Sequence, residues 1–200
     1  LPYEEGGRIA EGAFRESVAR TEAAGLGCAV NMDTGYANYL TDRERLEVLR
    51  WTRETLGEGP RFVGGVFVEG LEGDLVDLYR RGADQVAEKG GTPILFQTTR
   101  FHDWEGEKIV ELYAEVCAGY DEVLGFELGK VFAPNGMIYS EDVVRGLMGI
   151  EQLKGMKHSS LSREEELKRL ALRDELRPDF KIYTGNDLGI DMVEYGSDYL

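Results

Sequence analysis

The sequence predicts an α/β fold, a (β/α)8 TIM barrel, on three observations. Strand-like segments alternate strictly with segments of helical periodicity through the 200 residues. The strand segments are near-continuous apolar runs, as in a parallel sheet buried on both faces. No Gly-x-Gly-x-x-Gly follows the first strand. A doubly wound open sheet fits the alternation too, but without that motif an eight-fold barrel fits it better.

The elements follow in order. Leu1 to Gly7 is a turn-rich lead-in. Over residues 9–24, Ile9, Ala13, Phe14 and Val18 recur at helical spacing, and Gly25 ends the run. Residues 26–32, Leu-Gly-Cys-Ala-Val-Asn-Met, form a buried strand that runs into Asp33-Thr34-Gly35-Tyr36, a loop signal. Thr41-Asp-Arg-Glu44 is a capping box, and the helix it opens reaches about Leu56. Strand 62–68 is followed by a helix over about 74–88, stopped by Gly90-Gly91. Strand 93–98, helix 106–118, strand 123–129, helix 141–148 and strand 153–159 come next. Ser162-Arg-Glu-Glu165 is a capping pattern for a helix over 163–176, before strand 180–185 and helix 188–195. Ser197 to Leu200 starts one more strand. The chain thus opens on a helix and stops on a strand. The expectation is one barrel domain over residues 1–200, lacking its first strand and its C-terminal helices.

Bulk properties narrow the function. A formal charge of −15 argues against nucleic acid or an anionic membrane as partner. An anionic substrate would need local basic groups. The apolar runs are too short to span a bilayer and no signal peptide opens the chain, so a cytoplasmic protein is expected. Cys28 and Cys117 lie far apart without metal-ligand spacing and read as core thiols. His102 and His158 are too scattered for a zinc site. No metal or organic cofactor is expected.

In a barrel, catalytic groups sit at the C-terminal ends of strands and in the loops that follow. That rule selects Asp33, Thr34, Glu69, Thr98, Thr99, Arg100, Glu127, Lys130, Lys157, Ser159, Asn186 and Asp187. Lys157 stands out. A lysine within a strand core is costly unless paired or used. Burial favours its neutral amine, which attacks a ketone to give a Schiff base. The alternative is a strand-end lysine with its head in solvent. By alternation, Gly155, Lys157 and Ser159 share one face, as do Gly125, Glu127 and Gly129. The glycines are expected to leave room for a small ligand. His158 then points at the helical layer, as a structural histidine.

With these residues in place, the chain resembles the dihydrodipicolinate synthase / N-acetylneuraminate lyase family of class I aldolase-type barrels along essentially its whole length. Leu1-Pro-Tyr-Glu-Glu-Gly-Gly resembles the loop after the family's first strand. Met32-Asp-Thr-Gly-Tyr36 lies where the family carries Gly-Thr-Thr-Gly-Glu, and Leu40-Thr-Asp-Arg-Glu-Arg45 resembles the helix start after it. Gly155-Met-Lys157 resembles the family's Gly-x-Lys, whose lysine forms the Schiff base with a 2-keto acid. Gly185-Asn-Asp187 and Tyr195-Gly-Ser-Asp198 resemble its Gly-x-Asp and Gly-Ala-Asp near strands seven and eight.

The departures from that pattern matter as much. The family's Tyr-Asn-x-Pro supplies a phenol that relays protons. Here the strand ends Gly125-Phe-Glu-Leu-Gly129. With strand ends aligned Glu127 takes the tyrosine's place; with Pro134 aligned Val131 does. Glu127 is preferred, since it needs no gap and is expected to point inward, as acid or base beside Lys157. The alternative is a structural ion pair of Glu127 with Lys157 or Arg100. Asp33 replaces a threonine that helps hold the substrate carboxylate, while Thr34 keeps the second threonine of the family's hydroxyl relay. Arg100 offers a carboxylate clamp or else a solvated surface arginine. Pro134-Asn-Gly-Met137 lacks the arginine for a second carboxylate, which speaks against true dihydrodipicolinate synthase activity.

The resemblance therefore implies a Schiff-base lyase or aldolase, or a related dehydratase, acting on a 2-keto acid or sugar acid. Lys157, Glu127 and Thr34 would be catalytic. Asp33, Gly35 and its loop N–H groups, Arg100, Ser159, Gly185 and Asn186 would bind substrate. It also implies a homotetramer or dimer. The rival reading is an altered member that binds a keto acid as a sensor or regulator.

Overall fold

The computed structural model describes residues 1–59, 61–185 and 187–200. The expected substrate contact at Asn186 lies outside the described residues. The strands are β1 (Cys28–Val30), β2 (Phe62–Val66), β3 (Thr92–Leu95), β4 (Val123–Leu128), β5 (Leu153–Ser159) and β6 (Lys181–Thr184). The α-helices are α1 (Glu11–Ala23), α2 (Asp42–Leu56), α3 (Leu75–Ala87), α4 (Gly106–Cys117), α5 (Glu141–Met148) and α6 (Arg163–Leu176). The chain forms two compact units, residues 1–67 with 81–94 and residues 68–80 with 95–200. Strand order follows chain order, β1-β2-β3 in the first unit and β4-β5-β6 in the second. Neighbouring strands in chain order, with β1 to β5 each followed by an α-helix, are the pattern of part of a β/α barrel.

In the first unit, β1 and β2 pair in parallel, with Cys28 opposite Phe62 and Val30 opposite Gly64. Helix α2 opens on the expected capping box: Glu44 N donates to Thr41 Oγ1, and Thr41 N donates to the Glu44 carboxylate at 2.8 Å. Its buried stripe is Val48, Leu49, Trp51 and Thr52, and Trp51 meets Phe14 of α1 with ring centroids 6.1 Å apart. Each fully buried aliphatic or aromatic side chain is worth about 1.5–3 kcal/mol, against about 0–1 for a surface ion pair such as Arg15–Glu54, which links α1 to α2. Apolar packing, rather than the surface charges, therefore holds α1 and α2 together.

In the second unit, β5 pairs in parallel with β4 on one side and β6 on the other. Phe96 and Phe126 meet edge to face at 4.8 Å, and Tyr79 donates its hydroxyl to Phe96 O at 2.5 Å. Helix α6 is capped by Ser162, whose Oγ accepts from Glu165 N at 3.2 Å.

Two expected elements differ. The helix expected over 188–195 is a 3₁₀ run over Asp187–Val193, broken by Gly189 at φ −112° and ψ 17°, which prevents a continuous α-helix. The strand expected from Ser197 is a single parallel bridge between Tyr183 and Tyr199.

Candidate active site at the end of strand β5

The register of β5 sets the face on which each side chain lies. Lys157 stands opposite Phe126 of β4 and opposite Tyr183 of β6. Paired residues of a pleated sheet share a face, so Phe126, Lys157 and Tyr183 form one row. Lys157 is half-buried, and its Nζ lies 4.6 Å from the centroid of the Phe126 ring. An ammonium there is attracted to the ring face. Tyr183 stacks on Tyr199 at 5.5 Å. Burial, aided by the negative charge of Glu122, pushes the Tyr183 phenol above its ordinary value, so it stays protonated.

Ser159 and Lys157 converge on Gly185. Ser159 Oγ donates to Gly185 O at 3.2 Å. A Cβ at Gly185 would fall 1.9 Å from Ser159 Oγ and 2.8 Å from Lys157 Cε. Only glycine lets both side chains occupy that corner.

Gly155 and Gly125 do not leave ligand space as expected. A Cβ at Gly155 would lie 2.6 Å from Lys181 O and 3.0 Å from Tyr183 Cε2, so Gly155 serves the close approach of β6. Gly125 lies opposite Met156, and its Cβ would touch Met156 and Tyr113 on the other face.

Glu127 corrects the expectation of an inward acid or base. The β4–β5 register shifts between Val123 and Leu124, which places Glu127 opposite His158 and Phe126 opposite Lys157. Glu127 therefore shares the helix-side face with His158, and Phe126, a ring with no hydroxyl, lies beside the lysine. Four donors saturate the Glu127 carboxylate. Oε1 accepts from Tyr139 N at 2.7 Å and Arg169 Nη2 at 2.8 Å; Oε2 accepts from Arg169 Nε at 3.1 Å and His158 Nδ1 at 2.6 Å. The ion pair is with Arg169, not with Lys157 or Arg100. Burial alone would raise this carboxyl, but the hydrogen bonds from His158 and Arg169 and the charge of Arg169 outweigh it and hold it below the ordinary value. His158 lies on the helical side as the alternation implied.

Arg100 is exposed and donates to Gly73 O at 3.0 Å. It lines a groove of about 330 Å³ with Asp74, Trp104, Lys108 and Leu112, and Lys157 is not part of that lining. Glu69, another strand-end carboxylate, accepts from Thr98 Oγ1 at 2.6 Å, Thr99 Oγ1 at 2.6 Å and Thr99 N at 2.8 Å. Burial works to raise the Glu69 carboxyl, and these hydrogen bonds bring it below its ordinary value.

In the first unit, Asp33, Thr34 and Gly35 form a short 3₁₀ turn bracketed by Asn31 at φ 54° and Tyr36 at φ 58°. Left-handed backbone at non-glycine residues costs about 1–3 kcal/mol. The Gly35 N–H closes the turn on Met32 O at 3.0 Å, so it is not the open donor expected for substrate.

Sequence reasoning missed Arg169 and Ser160. Arg169 sits with Glu166 and Arg173 on the buried stripe of α6. Charged residues at helical spacing, flanking Leu170, were the signal. Cys28 and Cys117 are buried and form no disulfide, and burial pushes the Cys117 thiol up to about 12. Among the described residues, no group of three or more His, Cys, Asp or Glu side chains is placed to hold a metal ion, and no helix is long and apolar enough to cross a membrane.

No protein-family model matches the chain, and no curated protein matches it in sequence. Solved structures do match. Dihydrodipicolinate synthase from Thermotoga maritima is 13% identical with a TM-score of 0.85, over 100% of this chain and 66% of that one. Dihydrodipicolinate synthase from Acinetobacter baumannii, complexed with pyruvate, is 15% identical with a TM-score of 0.83, over 99% and 65%. N-acetylneuraminate lyase from Mycoplasma synoviae is 15% identical with a TM-score of 0.77, over 99% and 64%. The chain thus spans just under two thirds of the length of each. At the level of fold, these matches agree with the motifs: the chain has the fold of the dihydrodipicolinate synthase and N-acetylneuraminate lyase family.

Proposed function

We propose that this chain carries the Schiff-base lysine of a class I lyase or aldolase, or a related dehydratase, that acts on a 2-keto acid or sugar acid. The observation that carries the reading is the corner at Gly185, where a missing side chain makes room for Lys157 and Ser159 together. Support comes also from the pyruvate bound by a protein of the same fold.

In this reading Lys157 Nζ attacks the C2 carbonyl, and the carbinolamine loses water to give a protonated imine. The imine draws electrons from the adjacent bond as it breaks. Ser159 orients the substrate from the same corner. Phe126 provides no phenol for proton relay, which supports a reaction other than that of a true dihydrodipicolinate synthase. The parts that the resemblance gives to Thr34 and Asp33, and assembly as a homotetramer or dimer, belong to the same reading. Lys157 needs no metal or organic cofactor to form the imine.

The test is borohydride reduction in the presence of pyruvate and a panel of sugar-derived 2-keto acids. The expected result is a mass-shifted peptide with the adduct on Lys157, absent in a folded Lys157→Ala variant. No adduct with any ligand on folded protein would reject the imine chemistry. The second reading, a sensor that binds a keto acid without turning it over, is favoured by Phe126. An adduct without carbon–carbon or carbon–oxygen cleavage of any ligand in the panel would select it.

A further inference from the structure

The helix-side face of β5 holds a second arrangement of reactive groups, independent of Lys157. Glu127 Oε2 accepts from His158 Nδ1 at 2.6 Å, and His158 Nε2 lies 2.7 Å from Ser160 Oγ. A carboxylate has no proton to give, so Nδ1 carries the hydrogen. Ser160 Oγ accepts from Ser162 N at 3.1 Å and lies 3.2 Å from Ser162 O. Both Nε2 and Ser162 O lie in reach of its hydroxyl proton, and Nε2 is the nearer of the two. With the proton assigned there, the ring is neutral and Nε2 is the acceptor, the tautomer that a general base needs.

The burial pattern fits the same roles. Glu127 and His158 are wholly buried, and Glu127 is fixed by Arg169 and Tyr139 N. Ser160 is only half-buried, just past the C-terminal end of β5. The acid and base are shielded from water while the nucleophile reaches the surface. This is nucleophile, base and orienting acid in hydrogen-bond order, a constellation recognised by geometry rather than by fold.

We propose that Ser160, His158 and Glu127 form a second reactive centre that takes the acyl group of a small carboxylic ester. Ser160 Oγ bonds to the ester carbonyl carbon while its proton passes to His158 Nε2. The tetrahedral adduct collapses, its C–O bond to the alkoxide breaks, and the alkoxide leaves with the proton from Nε2 as an alcohol. Water then adds to the acyl-serine, giving one proton to Nε2. Collapse breaks the bond to Ser160 Oγ, which takes that proton back, and the carboxylic acid departs. Ser160 and His158 are the catalytic residues; Glu127 is a positioning residue that holds the tautomer. Arg169 draws on both Glu127 oxygens and weakens the pull of Glu127 on the ring, so turnover is slow.

The test treats the protein with a fluorophosphonate probe, which loses fluoride to an activated serine, and maps the adduct after digestion. p-Nitrophenyl acetate then reports turnover. The adduct is expected on Ser160 Oγ. Ser160→Ala, its fold checked by circular dichroism, is expected to lower both labelling and acetate release about a hundredfold or more. Glu127→Asp, which keeps the carboxylate, is expected to retain more labelling than Glu127→Gln under conditions where both are folded. Absence of label on folded protein, label on another residue, unchanged turnover in Ser160→Ala, or equal labelling of the two Glu127 variants would overturn the proposal. Borohydride trapping on the same preparation reads Lys157 Nζ separately, so either result stands without the other.

Discussion

Glu127 is a buried charge with its partners fully assembled, and its removal is asymmetric in cost. Glu127→Gln keeps the size of the side chain but leaves Arg169, wholly buried in α6, facing a neutral amide. Breaking a buried pair from one side costs about 3–5 kcal/mol. A drop of that size in the urea-unfolding free energy is the expected outcome, and a drop below about 1 kcal/mol would show that Arg169 finds other partners. The same carboxylate gives a pH dependence. Its folded value lies below the ordinary one, so the unfolded chain binds its proton more readily. The stabilisation is present above about pH 4.3, the unfolded carboxylate value, and is lost as pH falls through the folded one. Glu69 and Asp198 are shifted the same way and add to it. Urea midpoints between pH 7 and pH 3 should fall in the acid limb, less steeply in Glu127→Gln.

At the scale of elements, the legible part was set by local chemistry. Thr41 and Glu44 form both arms of their capping box, as the spacing Thr-x-x-Glu predicts. Thr41→Ala should lower thermal stability by about 1 kcal/mol, with Thr41→Ser restoring most of it. Equal loss in the two would mean that the hydroxyl does not cap α2. Strand β5 and helices α5 and α6 match the predicted bounds for the same reason: apolar runs, caps and helical periodicity are written in adjacent residues. The face of Glu127 was not legible. The register of β4 against β5 shifts by a residue at Val123–Leu124, and a one-residue slip exchanges the two faces of a strand. Alignment by strand ends could not see that slip, so it put Glu127 where Phe126 lies. The inner face of α6 was readable but unread. Glu166 accepts from Thr184 and Ser197 while Arg173 reaches Asp198, so the helix is pinned by charge as well as by Leu170.

At the scale of the whole molecule, the charge of −15 opposes the anionic substrate that the proposed chemistry requires. Like-charged partners are repelled over roughly a Debye length, about 10 Å at 0.1 M salt and 30 Å at 0.01 M. Adduct formation at Lys157 should therefore depend on salt. Between 10 and 200 mM salt, the rate of borohydride-trapped adduct with pyruvate should rise by up to about tenfold, since the long-range field is screened while the corner around Lys157 is not. Methyl pyruvate carries the same ketone without the charge and should show little change. A parallel rise for both compounds would mean that salt acts on the fold, which a highly charged chain also permits. A flat response for pyruvate would mean that cations close to Lys157 govern the approach and that the global field is irrelevant to capture. The pair of compounds separates the reach of the net charge from the local chemistry of the strand end, because only the carboxylate differs between them.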